Sequence, residues 1–203
     1  MSFKKFHPLI KEALLARNME TPLPFQKAIL SKLKGGMDVY GIAPTGAGKT
    51  TAFILATVHK LKAEAFEDSP RALVMVKDKA AALVLKEQFE HFTNETDLRI
   101  YCAYDEYDLE KQKEEIYFGV DIMIVTPKRL NKLYFLNGIH LGQLQLFIME
   151  DAEFLMRNNY QNDVLRVTES LKKCQYVIMA EKLSPKLKSL QENMMSHALI
   201  VSS

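Results

Sequence analysis

Short, uninterrupted apolar runs alternate along this chain with longer stretches in which apolar residues recur at helical spacing. The runs are Val39–Ala43, Ala72–Val76, Arg99–Ala103, Ile122–Val125, Leu146–Met149, Tyr176–Ala180 and Ala198–Val201. They lack the polar alternation of a half-exposed strand, which is how strands covered on both faces of a parallel sheet read. Between them, Lys79–Phe92 places Ala82, Leu85 and Phe89 on one helical face, and Thr51–Ala63, Arg129–Leu136, Asp163–Lys172 and Pro185–Met195 read as further helices. This alternation predicts a three-layer α/β fold with a mostly parallel sheet of about seven strands and right-handed crossovers. Ligands of such folds meet the loops at the carboxyl ends of the strands. The segment before Val39 reads as helices in front of the sheet, interrupted at Pro22 and Pro24, with Gly35-Gly36 turning into the first strand.

The strongest chemical signal lies where that fold would put it. Ala43-Pro44-Thr45-Gly46-Ala47-Gly48-Lys49-Thr50 follows the first strand and opens a helix, the context a phosphate-binding loop requires. Gly46 and Gly48 let the backbone curl so that successive N–H groups converge on phosphate oxygens, and the helix that follows adds its positive end. Ala43, Thr45, Gly46, Ala47, Gly48, Lys49, Thr50 and Thr51 are therefore the expected nucleotide contacts. Lys49 is expected to reach the β- and γ-phosphates and the Thr50 hydroxyl to ligate Mg²⁺. The plain alternative is a chance glycine turn at a helix start.

Composition adds boundaries to this picture. A length of 203 residues suits one α/β domain, and 48% hydrophobic with 26% charged residues suits a core of ordinary size. The net charge of +2 neither announces nor excludes a nucleic-acid binder, since a local basic face suffices. Cys102 and Cys174 sit in strand-like runs and read as buried free thiols of a reducing compartment. No run reaches the roughly 18 apolar residues of a membrane span, and Met1–Ile10 has no signal core, so a cytosolic or nuclear protein is expected.

With its phosphate loop in place, the chain resembles the DEAD-box branch of superfamily 2 RNA helicases, from Phe3 to about Val201, over the first of that family's two RecA-like domains. Ala43–Thr50 is close to its motif I. Pro22-Leu23-Pro24-Phe25-Gln26 is similar to its Q motif. The resemblance implies that Gln26 hydrogen-bonds the adenine edge while an upstream aromatic, Phe3 or Phe6, packs nearby. Val125-Thr126-Pro127-Lys128-Arg129-Leu130 looks like motif Ib with Lys128 for a glycine; it implies RNA-backbone contact through Thr126 and Arg129, with Lys77 and Lys128 beside them. The local alternative is a helix start capped by Thr126 with Pro127 in its first turn. Residues 1–37 would form the Q-motif region and 38–203 the P-loop core. A second RecA-like domain belongs to the longer protein of which this chain is expected to be a fragment.

The resemblance then breaks in a consistent direction. Where the family has Asp-Glu-Ala-Asp, this chain has Glu150-Asp151-Ala152-Glu153, each acid exchanged for its homologue. Glu150, expected to organise Mg²⁺, is one methylene too long. Asp151, expected to position the attacking water, is one too short. Displacements of about 1 Å cost on the order of a hundredfold in rate, so binding should survive better than turnover. The strand ending at Met149 is expected to neighbour the P-loop strand and to set this pair opposite Lys49 and Thr50. Of motif Ia, Val76-Lys77-Asp78-Lys79-Ala80-Ala81 keeps only its last alanine. In place of a Gly-Gly turn stands the acidic and bulky Ala103-Tyr104-Asp105-Glu106-Tyr107, which should repel phosphate. Ala180-Glu181-Lys182 carries neither hydroxyl of the Ser-Ala-Thr motif.

Two readings follow: an ATP- and Mg²⁺-dependent RNA helicase half-core, monomeric and weakly active alone, gripping single-stranded RNA by its backbone; or a degenerate scaffold that binds RNA or protein. For the second, the chain is similar to the divergent helicase-like domains of Tudor proteins in the piRNA pathway. A small-molecule kinase would need a lid and an acceptor site, and the sequence displays neither.

Overall fold

In the computed structural model, which describes residues 3–156, 160–171 and 173–203, the elements alternate as the apolar runs require. A 3-10 turn at Phe3–Lys5 precedes α1 (Pro8–Ala16) and α2 (Pro24–Lys34). Then follow β1 (Val39–Ile42), α3 (Lys49–Lys60), β2 (Ala72–Met75), α4 (Lys79–Thr93), β3 (Ile100–Ala103) and α5 (Leu109–Tyr117). After them come β4 (Ile122–Val125), α6 (Pro127–Phe135), β5 (Leu146–Met149), a 3-10 segment at Ala152–Met156 and α7 (Tyr160–Thr168). The chain closes with β6 (Gln175–Ala180), α8 (Pro185–Met194) and β7 (Leu199–Ser202).

The seven strands lie in the order β3-β4-β2-β5-β6-β1-β7, and every pairing is parallel. The central strands are apolar almost throughout, Gln175 at the start of β6 excepted, because the pleat sends alternate residues to opposite covered faces. In β2, Ala72 and Val74 join the core under α1–α4, where Phe53, Leu85 and Phe89 pack. Leu73 and Met75 face the second core, built with Leu130, Val164 and Leu187 of α6, α7 and α8.

Several local expectations need correction. Pro24 does not merely interrupt the N-terminal helices; it opens α2, where its missing N–H costs nothing. Helix α3 begins at Lys49 rather than Thr51 and ends before Lys62 and Ala63, both left-handed at φ 59° and 57°. The α7 pattern starts earlier than Asp163 and stops at Thr168; its expected end, Lys172, lies outside the described residues. Helix α5 went unread because it is mostly charged and buries only Gln112 and Ile116. Asp108, whose carboxylate accepts from the Lys111 N–H, was the signal that marks its start. The P-loop strand is not beside the acidic strand: β6 lies between β1 and β5. Cys102 and Cys174 are free and only half-buried.

A buried charge cluster ties the far end of the sheet together. Asp121, fully buried, accepts from Arg71 Nη2 at 2.6 Å, Arg99 Nε at 2.9 Å, the Arg99 N–H at 3.1 Å and the Phe66 N–H at 3.0 Å. Burial alone would raise its carboxyl, but these hydrogen bonds, Arg99 foremost, hold it below the usual carboxylate range.

Candidate functional site

The loop between β1 and α3 rises from the carboxyl edge of the sheet. Gly46 at φ 85° and Gly48 at φ 84° occupy the left-handed region, which costs other residues about 1–2 kcal/mol each. At Gly48 a side chain is excluded twice over, because a Cβ would stand 2.4 Å from Nε2 of Gln26. These turns fold Lys49 inward until it is only 7% exposed. Its ammonium donates to the Ala43 carbonyl at 2.6 Å and the Pro44 carbonyl at 3.2 Å, and among the described residues it has no carboxylate within ion-pair distance. A buried ammonium held by carbonyl dipoles alone, at a helix N-terminus, is a site with an unmatched demand for an anion.

Strand β5 delivers the acids to the same place, although it is two strands away. The Thr50 hydroxyl donates to Glu150 Oε1 at 2.6 Å, joining the helix start to the acidic turn. Burial pushes the Glu150 carboxyl up to about 7; the Thr50 hydrogen bond opposes that rise, the Asp151 charge adds to it, and Lys49 opposes it. Asp151 is exposed, left-handed at φ 46°, and lines the same cleft as Lys49 and Thr50. The expected convergence of Glu150 and Asp151 on Lys49 and Thr50 is therefore present.

That cleft has a volume of about 490 Å³, within the size range of small-molecule sites. Gln26, buried at 1% exposure, forms part of its wall. The amide is already engaged: Oε1 accepts from the Leu23 N–H at 2.9 Å, and Nε2 donates to the Gly48 carbonyl at 3.2 Å. One amide hydrogen and one lone pair are left to face a ligand. Neither Phe3 nor Phe6 lines the cleft, contrary to expectation. Both are buried in the core, where Phe6 meets His59 edge-on and takes the Lys34 ammonium over its ring. The cleft's aromatic wall is Phe92 of α4, with the Arg17 guanidinium 5.4 Å over its ring and His91 beside it. Sequence reasoning missed these three, since Phe92 entered it only as the end of a helix.

Thr45 and Thr51 line the cleft. Ala47 is half-buried in the loop, and the Ala43 N–H donates to the Ala180 carbonyl at 3.1 Å. The Thr45 hydroxyl donates to the carboxylate of Glu181, which this bond, above all, holds below the usual range. Glu153, last of the four-residue acidic turn, accepts from the Glu181 N–H at 2.5 Å and the Lys182 N–H at 3.3 Å. The acidic turn is thus joined to the loop after β6 through backbone donors, although the hydroxyls looked for there are missing.

Lys77 and Lys128 are exposed at the same edge of the sheet, beyond β2 and at the start of α6. Thr126 and Arg129 are buried at 5% and 3% exposure. Thr126 stands at the N-cap of α6 with Pro127 following, but its side chain caps nothing; it donates to Asp105 Oδ2 at 3.2 Å. Arg129 Nη2 donates to the carbonyls of Asp105 at 2.9 Å and Tyr107 at 2.8 Å. Among the described residues no helix is long and apolar enough to cross a membrane, and no cluster of three or more His, Cys, Asp or Glu side chains suits a metal.

Comparison with known proteins agrees with this geometry. The family described as DEAD/DEAH box helicase matches residues 23–183. The ATP-dependent RNA helicase RhlB of Yersinia pestis strain Pestoides F is 30% identical over 200 residues, and RhlB of Yersinia pseudotuberculosis serotype IB matches equally. In both cases 95% of this chain pairs with 47% of the relative, so the chain spans about half the length of the curated relatives it matches. The crystal structure of a DEAD box protein from the hyperthermophile Methanococcus jannaschii superposes with a TM-score of 0.89 at 17% identity, over 98% of this chain and 54% of that one.

Proposed function

The chain belongs to the DEAD/DEAH box helicase family, and from that premise we propose that it is the ATP-binding half of an RNA helicase core whose hydrolysis is weak in isolation. The observation that carries this is Lys49. Its buried ammonium has carbonyl partners only, behind two left-handed glycines and beside the Thr50–Glu150 pair. Phosphate oxygens supply the missing counter-charge, and the loop N–H groups cradle them. The Thr50 hydroxyl and Glu150 would hold Mg²⁺, which screens the phosphate charge. Asp151 lies on the wall where a water would be oriented. Gln26 offers its remaining donor and acceptor to an adenine edge, and Arg17 on Phe92 gives a flat surface for a base.

Turnover is weak for two reasons. Glu150 and Asp151 carry each other's side-chain length relative to the family. A second RecA-like domain is also needed, since its arginines are worth about 10³–10⁵ in rate in related NTPases. RNA is held by its backbone, single-stranded and without sequence preference, at the edge carrying Lys77, Thr126, Lys128 and Arg129. A second reading, a scaffold without nucleotide such as those of small-RNA biogenesis, draws support from the Gln26 and Thr45 side chains being engaged within the chain.

Titration of ATP, with Mg²⁺ and with a chelator, onto this chain and onto Lys49→Ala separates the two. Micromolar to sub-millimolar binding that needs Mg²⁺ and disappears in the variant is the expected result. No binding at millimolar ATP would leave the scaffold. In a longer chain carrying both RecA-like domains, Glu150→Asp with Asp151→Glu should raise steady-state ATPase; equal rates would mean that the exchange is harmless.

A further inference from the structure

The start of α6 is electrostatically odd. A helix N-terminus is already positive, and the first two turns of this one add Lys128, Arg129 and Lys132 with no acid in the first turn. No side chain caps it, so the N–H groups of Lys128 and Arg129 lack the usual partner. Arg129 is buried, yet its Nε and Nη1 have no hydrogen-bond partner. Such an arrangement suits a tetrahedral oxyanion with several acceptor oxygens.

One anion of the chain itself stands there. The carboxylate of Asp105 accepts from the Thr126 hydroxyl at 3.2 Å, with Lys132 Nζ at 3.8 Å and Arg129 Nε at 4.0 Å from its other oxygen. It is drawn in by its own backbone: the two carbonyls that hold Arg129 Nη2 belong to Asp105 and Tyr107, so Arg129 clamps the loop between β3 and α5 over the helix start. A planar carboxylate with two oxygens fills this place incompletely, which is why two of the Arg129 nitrogens remain unpaired.

We propose that Asp105 is an affinity-setting residue: its carboxylate occupies a phosphate site formed by Thr126, Arg129, Lys132 and the first turn of α6, and it must yield before a backbone phosphate of RNA can bind. The inference rests on the RNA-binding reading above for the identity of the ligand, and on the geometry alone for the existence of the site. It makes weak RNA binding a property of one replaceable side chain rather than of a lost surface.

The test compares the chain with Asp105→Asn, which keeps an acceptor for Thr126 and both backbone carbonyls for Arg129 but loses the charge. Asp105→Ala is the second variant, should the amide disturb the loop. Glu106→Gln, the same charge change on the next residue, is the control. Two probes are used: a fluorescent ten-nucleotide oligouridylate followed by anisotropy, and inorganic phosphate followed through the backbone amide resonances of Thr126, Lys128 and Arg129.

Both Asp105 variants should bind the oligonucleotide about tenfold more tightly at 50 mM salt, with a logarithmic salt slope steeper by roughly 0.7, one additional phosphate contact. Glu106→Gln should change affinity less than twofold. Phosphate should shift the three amides in the Asp105 variants and not in the parent. If phosphate moves those amides but no form binds RNA, the site stands and the RNA reading falls. If the parent binds RNA and the Asp105 variants bind it no better, or Glu106→Gln does as much, the proposal is overturned while RNA binding stands. Silence with both probes overturns both.

Discussion

Replacing Glu150 by Gln removes a half-buried charge while keeping an oxygen for the Thr50 hydroxyl, and the consequence depends on pH in a direction the structure fixes. The carboxyl is pushed from 4.5 to about 7, chiefly by burial. Each pH unit is worth about 1.36 kcal/mol, so keeping this group ionised costs the folded chain at most roughly 3 kcal/mol. The sign follows from proton binding. Between pH 4.5 and 7 the folded chain holds a proton that the unfolded chain has released, so this group's contribution to stability falls as pH rises through that window and is level above it. The Gln side chain cannot ionise. Glu150→Gln should therefore match the parent near pH 5 and exceed it at pH 8. At about 2–4 °C per kcal/mol for a domain of this size, the midpoint should rise by up to roughly 6–12 °C. Thermal unfolding of both chains at the two pH values, followed by circular dichroism, gives the comparison. Repeating it at pH 8 with ATP and Mg²⁺ should narrow the difference, because the parent gains ligand stabilisation that the variant lacks. An equal midpoint difference at pH 5 and pH 8, or a variant less stable at pH 8, would refute the reasoning.

Three further outcomes follow from the same structure. Asp121→Asn leaves Arg71 and Arg99 facing a neutral group and should lose about 3–5 kcal/mol in urea unfolding. Because the Asp121 carboxyl is held low, its contribution is present above about pH 4 and disappears as pH falls through its folded value; an acid-unfolding midpoint unchanged in the variant would count against this. Gly48→Ala places a Cβ 2.4 Å from Gln26 at a φ of 84°, so nucleotide titration should show no binding and thermal unfolding a lower midpoint; retention of both would show that the loop tolerates the side chain. Glu181→Gln takes a negative charge from beside Thr45 while keeping an acceptor, so ATP affinity should rise by about threefold at low salt and less at high salt, where an exposed charge is screened; a salt-independent change would point to another cause.

Much of this molecule is legible in one dimension, because the information is local. A buried parallel strand is apolar at successive positions, and all seven strands were bounded to within a residue on that basis. A phosphate loop is eight consecutive residues whose backbone makes the site, so Gly46, Gly48, Lys49 and Thr50 could be named without coordinates. The acidic turn was found through its resemblance to the family's Asp-Glu-Ala-Asp, in a register set by the apolar strand directly before it and by Ala152.

What the sequence left undecided is whatever depends on which segments meet. The order that puts β6 between β1 and β5 is a choice among crossovers that the apolar pattern does not encode. Arg17, His91 and Phe92 became a cleft wall only because α1 and α4 pack together, and Phe3 and Phe6 are buried in the core, Phe6 against His59 of α3 and Lys34 of α2. The Asp121 cluster joins residues separated by 50 and 22 positions. Asp105 read as a bulky acid that repels phosphate; only the fold shows it seated on Thr126, Arg129 and Lys132. Backbone preference and burial pattern act over a few residues and are written in the chain. Side-chain convergence acts through space, where distance along the chain does not matter, and so it is decided when the sheet closes.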